Sequence, residues 1–403
     1  MGWRMRPNLF GNKFFCAYGF WHCGEGVQTI LLMWYMAFHA HLSPAEIGFY
    51  QALQLAPFLI FTAAGGSLTD RIGPRASFAM ATGAFALALG IYGMLDPVVG
   101  FNGPLFAGYC LLSGLLSALS NPAIDCFIPD ATARPATDNA LLAATVHNVA
   151  KLTGNAMTLM LPVIGAMGGF LMNGLLMAIS VAFLLRHNKG AVRPPHQPAG
   201  DHVLRRLRGH FRAHLASFDI LLSSAMLGLL AVGGSYVFNP LSVRGWFSHY
   251  EALIALAGIT QWSSAILASG LAAWMIPRIH WPGRLALLVW ALGALNLVAL
   301  VLVSGFGVAA YLAVMFLLGA NGVGKALVYG HYLSEAPATD RALLIGIDQT
   351  FFWGLATLGT MVLGWLVGRI GLGPAILVDA GLILFCVAVL ALRGRLWRLT
   401  QGR

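Results

Sequence analysis

Four charged residues, Glu25, Lys151, Lys325 and Asp348, stand inside long apolar runs of this sequence. A charge at the centre of a membrane costs roughly 2.5–3.5 kcal/mol, so such a residue marks either a partner or a water-filled space. Each has polar company at helical spacing. Tyr18, Trp21, His22, Glu25 and Gln28 follow one another at intervals of three and four, which places them on one helix face. Lys151 has His147 four residues before it and Asn155 four after; Lys325 has Asn321 and Tyr329 in the same relation. Asp348 adjoins Gln349 and lies near Trp353. Two polar stripes centred on lysines, with acids on other segments, predict the ion pairs Glu25–Lys151 and Lys325–Asp348. A carboxylate in such a pair exchanges its lysine for a proton when the pair opens, which is reversible acid–base chemistry. The plainer reading is that the pairs only hold helices together. Asp125, Asp130 and Glu335 lie near the ends of apolar runs and read as helix-end residues, whereas Asp379 has no evident partner. Trp21, Tyr236, Trp262, Tyr329 and Trp353 offer flat surfaces to a planar or amphipathic molecule, or serve as packing and interface anchors.

The elements that must position these groups are membrane spans. With 58% hydrophobic and 9% charged residues over 403, the chain is too poor in charge to cover a surface in water. About 20 apolar residues cross a bilayer core as a helix. On that measure the candidate spans are 14–40, 46–68, 76–95, 104–128, 139–166, 168–186, 218–240, 252–276, 284–304, 306–332, 342–367 and 373–392. Gly165, Gly168 and Gly169 blur the divide between the fifth and sixth. The first run, from Phe14, is long enough to be a retained span rather than a cleaved signal. Five cysteines in or beside apolar stretches, with no CxxC pair, indicate inert thiols and neither a disulfide framework nor a zinc site.

Charge placement gives orientation. Of the 24 lysines and arginines, all but four fall in the termini and in alternate loops. The exceptions are Arg244 and Arg369 in the opposite loops and Lys151 and Lys325 within spans. This positive-inside pattern puts both termini in the cytoplasm and explains the formal charge of +10 without a nucleic-acid partner. The basic segment 187–217, with Arg205, Arg206, Arg208 and Arg212, divides the chain into halves 1–186 and 218–403. Residues 204–215 read as an amphipathic surface helix or as an ordinary linker. The halves read as duplicated: Pro135-Ala136-Thr137-Asp138-Asn139-Ala140-Leu141-Leu142 recurs half the chain later as Pro337-Ala338-Thr339-Asp340-Arg341-Ala342-Leu343-Leu344, each before the fifth span of its half. Parallel repeats of this kind are a transporter plan.

Between the second and third spans, Gly66-Ser67-Leu68-Thr69-Asp70-Arg71-Ile72-Gly73-Pro74-Arg75 resembles the signature loop of the major facilitator superfamily. Pro74 replaces a usual basic residue. The matching loop of the second half, 270–284, keeps Arg278 and Arg284 but has Trp274-Met275 in place of the aspartate. The resemblance implies an all-α membrane protein with twelve transmembrane helices in two six-helix pseudo-symmetric halves, working by alternating access. It implies that Gly66, Asp70, Arg71, Gly73 and Arg75 form a cytoplasmic gate; a plain topological anchor is the alternative. Asp70 would accept N–H groups from a helix start and pair with Arg71 or Arg75. The family places spans 1, 4, 7 and 10 around a central cavity, which would expose Glu25, Asn239, Asn321 and Lys325. The expected cavity set is Trp21, Glu25, Gln28, His147, Lys151, Tyr236, Asn239, Asn321, Lys325, Tyr329, Gln349 and Trp353. Glu25 is expected to couple protons, with Asp348 as second candidate. Asn121-Pro122-Ala123, Pro129-Asp130 and Asn139-Ala140-Leu141-Leu142 resemble the siderophore and drug exporter branch, enterobactin-exporter-like and macrolide-efflux-like proteins.

The resulting expectation is a monomeric, proton-coupled exporter of a small amphipathic molecule in a bacterial cytoplasmic membrane, with no cofactor and no metal. The alternatives are uptake or flipping of a nutrient or lysophospholipid, a transport-inactive receptor, or an intramembrane enzyme. Gly319 to Lys325 mimics a phosphate loop, but Ala326 stands where Ser or Thr is required and the match lies inside a span, so ATP binding is rejected. His39 and His41 lack carboxylates for a metal. No HExxH or G-x-S-x-G occurs.

Overall fold

The computed structural model describes residues 12–133, 136–187, 210–212, 214–275, 279–335 and 341–400, without the side chains of 60, 62–68, 70–71, 136–137, 273, 275, 330, 333–334 and 341–343. Helices account for the regular structure among these residues. We number them α1 (Lys13–Trp34), α2 (Pro44–Ile72), α3 (Pro74–Val99), α4 (Gly103–Asp125), α5 (Ala136–Met157) and α6 (Leu161–Leu185). The rest are α7 (Leu215–Trp246), α8 (Leu253–Met275), α9 (Pro282–Leu302), α10 (308–334), α11 (341–370) and α12 (Leu372–Leu392). Nine stretches among the described residues are long and apolar enough to cross a membrane, and one of these, Asp138–Leu185, contains both α5 and α6. With α1 and α2 they make the twelve spans that the apolar runs predict.

Local chemistry sets the ends. Ser43 and Glu46 form a reciprocal cap on α2: Ser43 N donates to Glu46 Oε2 at 2.8 Å and Glu46 N to Ser43 Oγ at 3.3 Å. Asn102 caps α4 by accepting Leu105 N at 3.0 Å. Gly73 stops α2 with φ +88°, a backbone state that favours glycine, and Pro74 then starts α3. The divide sought near Gly165 is a break inside α6, where Gly165 has φ +68°.

The chain forms two compact units. The first is Met1–Leu32 with Ile60–His196, and the second is Met33–Leu59 with Gln197–Arg403. In the first, α3 packs along α4 and α6. Tyr92, Tyr109 and Phe170 form its aromatic centre at centroid distances of 4.6–5.4 Å. In the second, the apolar core runs between α7, α9, α10 and α12. Elsewhere in this unit Trp34 Nε1 donates to Glu251 Oε2 at 2.9 Å, and Arg244 Nη1 donates to the Leu42 carbonyl at 2.6 Å. Fully buried Asp219 clasps Arg393 at 2.9 Å and Arg395 at 3.3 Å, tying the start of α7 to the chain after α12. Most of the basic segment, the Pro337–Asp340 copy of the repeat and Pro135 lie outside the described residues.

Candidate functional site

In the first unit α1 and α5 approach to backbone contact because both carry glycine at the crossing. A Cβ at Gly26 would stand 2.7 Å from the Lys151 carbonyl oxygen, and one at Gly154 would stand 2.1 Å from that of Cys23. This closeness brings Glu25 to Lys151, Oε2 to Nζ at 3.2 Å, each side chain 15% exposed. The same oxygen lies 3.0 Å from His22 Nδ1, and the His22 ring lies against that of His147, tilted by 59° with centroids 4.1 Å apart. Asn121 Nδ2 on α4 donates to Glu25 Oε1 at 3.2 Å, while Asn121 Oδ1 accepts Trp21 Nε1 at 2.9 Å. One turn further, buried Gln28 donates to the Tyr109 hydroxyl at 2.8 Å, and Gln28 Oε1 accepts Asn173 Nδ2 at 2.7 Å. The Glu25 carboxylate is thus ringed by a lysine, a histidine and an amide. Trp21, Glu25, Gln28, His147 and Lys151 form one cluster in this unit. Asn121, Tyr109 and Asn173 complete it.

The second pair lies between α10 and α11. Lys325 Nζ is 2.9 Å from Asp348 Oδ2, with the acid fully buried and the lysine 18% exposed. Ser224 Oγ on α7 donates to Asp348 Oδ1. A π-helical turn at Thr350–Gly354 widens α11 and sets the Phe352 ring 3.9 Å from the lysine nitrogen. Gly228, in the π-helical turn Leu227–Val232 of α7, permits this packing, since a Cβ there would lie 2.0 Å from the Phe352 carbonyl oxygen.

Beside the pair is a cavity of about 470 Å³ whose wall includes Asn239, Trp262, Asn321, Lys325, Phe352 and Asp379. Tyr236, Tyr329, Gln349 and Trp353, expected to share a cavity with these residues, are half-buried and outside this wall. Tyr329 stacks on Tyr332 at 5.9 Å, and Trp353 meets Phe352 edge-on at 5.2 Å. Asn321 sits where α10 breaks between Val308–Gly319 and Gly322–Ser334. The glycines that mimic a phosphate loop serve packing: a Cβ at Gly319 would be 2.2 Å from the Gln261 carbonyl oxygen, and one at Gly324 would be 2.4 Å from Trp290 Nε1. No group of three metal-ligating side chains occurs among the described residues.

Residues 14–355 match the family model of the Major Facilitator Superfamily. The chain belongs to that superfamily. It is therefore a multi-pass membrane transporter and not an enzyme, with the facilitator fold of two six-helix halves. No curated protein matches the sequence. Solved structures of similar fold include the nucleoside transporter NupG, with a TM-score of 0.75 at 12% identity, covering 98% of this chain and 100% of that one. A D-xylose-proton symporter superposes with a TM-score of 0.74 at 14% identity, 98% of each chain covered. A mutant of the peptide transporter POT has a TM-score of 0.75 at 14% identity, covering 100% of this chain and 97% of its own. At such identities the likeness is one of fold. Of the facilitator signature loop, Gly66, Asp70 and Arg71 lie on the last turns of α2 and Gly73 ends it. The side chains of Asp70 and Arg71 are outside the described residues. Arg75 donates to the His187 carbonyl at the end of α6. In the exporter-like stretch, fully buried Asn139 donates to the Pro129 carbonyl at 2.9 Å and accepts Thr132 Oγ1 at 2.5 Å, stapling the α4–α5 connection.

Proposed function

We propose that this facilitator is a proton-coupled exporter of a small amphipathic molecule, of the siderophore or drug kind. It lies in a bacterial cytoplasmic membrane with both termini inside. Glu25 is its coupling carboxylate. The observation that carries this reading is the Glu25–Lys151 pair, a charged couple at a glycine-lined helix crossing, with His22 and Asn121 as further donors. A shift of α1 against α5 removes the ammonium from Glu25, and a proton takes its place as counter-charge; re-closure returns Lys151 and expels the proton. A cycle of this kind links ion movement to conformation. Asp348 is buried under Lys325 and Ser224 and serves to neutralise the lysine. Export is supported by the exporter-like stretch from Asn121 to Leu142, and proton coupling by the presence of a D-xylose-proton symporter among proteins of this fold.

The test is transport in proteoliposomes under an imposed pH gradient. Glu25→Gln is expected to abolish gradient-driven transport while retaining substrate binding and gradient-independent exchange. Asp348→Asn is expected to weaken folding or binding instead. Full coupling in Glu25→Gln would sink the assignment, and loss of coupling confined to Asp348→Asn would transfer it.

A further inference from the structure

Asp379 takes no part in either ion pair. It is fully buried on α12, and neither carboxylate oxygen has a hydrogen-bond partner among the described residues. It faces the 470 Å³ cavity of the second unit. An ionised carboxylate does not stay buried without a counter-charge. Among the described residues of the wall the other charged group is Lys325, already engaged by Asp348 at 2.9 Å, so an ionised Asp379 has no counter-charge of its own there. Either a proton or a cation held in the cavity supplies that counter-charge.

The size and walls of the cavity say which kind of cation fits it. A volume of about 470 Å³ is that of a small-molecule pocket, far beyond what one ion or water fills. Phe238, Trp262 and Phe352 supply aromatic surface, which suits the apolar body of a ligand and also attracts positive charge. A metal ion is disfavoured, because Asp379 belongs to no cluster of three ligating groups among the described residues. Asn239 Nδ2 reaches Gln261 Oε1 only at a long 3.5 Å, while Gln261 Nε2 donates to Met315 Sδ at 3.2 Å, so the Asn239 amide is available to a ligand as well.

We propose that this cavity binds a small organic ammonium ion with an apolar body, its nitrogen on the Asp379 carboxylate and its body against the aromatic wall. The proposal deepens the transport reading by naming a substrate class, and rests on it only in taking the bound molecule as the one carried.

Isothermal titration calorimetry on the purified full-length protein in detergent tests it, with 2-phenylethylammonium and its neutral analogue 2-phenylethanol as probes. The wild type is expected to bind the ammonium and to bind the alcohol far more weakly. Asp379→Asn, which keeps the shape and removes the charge, should lower ammonium affinity by about thirtyfold or more and leave alcohol binding unchanged. If that variant does not fold, Ala231→Phe fills the cavity from α7 with the carboxylate intact and should abolish ammonium binding. Equal ammonium affinity in Asp379→Asn, or alcohol binding as tight as ammonium binding, overturns the proposal. So does absence of ammonium binding to the wild type, in which case Asp379 holds only a proton. No gradient is present, so a protein that binds the ammonium yet moves no protons would defeat the coupling reading and leave this one standing.

Discussion

The two ion pairs differ in how their members meet solvent, and this asymmetry decides what a substitution does. Asp348 is fully buried while Lys325 is partly exposed. Lys325→Met strands a carboxylate in a low-dielectric interior, which should destabilise the fold by about 3–5 kcal/mol. The double variant Lys325→Met/Asp348→Leu removes both charges and should recover most of that loss. Thermal unfolding of the purified variants measures both, and no recovery in the double variant would show that the charges do not act as a unit. Asn121→Leu breaks two hydrogen bonds at once, stranding Trp21 Nε1 and one oxygen of Glu25. A cost of about 1–3 kcal/mol for each stranded group is expected, again read as a lower melting temperature. Both pairs were legible in the sequence because charges in apolar runs are costly enough to demand partners. Asn121, Tyr109, Asn173 and Ser224 were not, since a neutral polar side chain in a span carries no such demand and its partner is distant along the chain.

Helices matter here through the glycines at their crossings. Gly26 and Gly154 set the distance between α1 and α5, and with it the Glu25–Lys151 contact. Gly154→Ala would drive a methyl group into the backbone of Cys23, an overpacking cost of about 1–3 kcal/mol. The expected result is a lower melting temperature together with impaired coupling in proteoliposomes. An unchanged melting temperature would mean that the crossing has slack. At the end of α2, Asp70→Asn keeps the side-chain shape and removes its charge. Reduced transport with near-normal membrane insertion is the expected outcome, and wild-type rates would make Asp70 a topological anchor only. The length of the apolar runs located most of these helices within a few residues. It put the α5–α6 divide near Gly165 and Gly169, whereas α5 ends at Met157 and α6 begins at Leu161, because apolar composition is continuous across both. The π-helical turns of α7 and α11 and the break of α10 at Asn321 escaped it, because they are choices of hydrogen-bond register made by neighbouring helices.

For the whole molecule the basic residues predict sidedness. In a background freed of the five native cysteines, Phe101→Cys should react with a membrane-impermeant maleimide added outside intact cells. Ala199→Cys, in the basic segment, should react only after the membrane is opened. The reverse pattern would invert the topology.

Twelve spans, two halves and two intramembrane ion pairs follow from the sequence by itself, because water, lipid and isolated charge impose constraints that act residue by residue. What only the tertiary structure decided is which neutral groups complete each pair. It also placed Asp379 on a cavity within the second unit and left Tyr236, Tyr329, Gln349 and Trp353 off that wall. The reason is physical. Burial against lipid is set by composition along one helix, whereas a cavity is the space left over when six helices cross. That space depends on glycines, helix breaks and widened turns whose effect exists only between chain segments far apart in sequence.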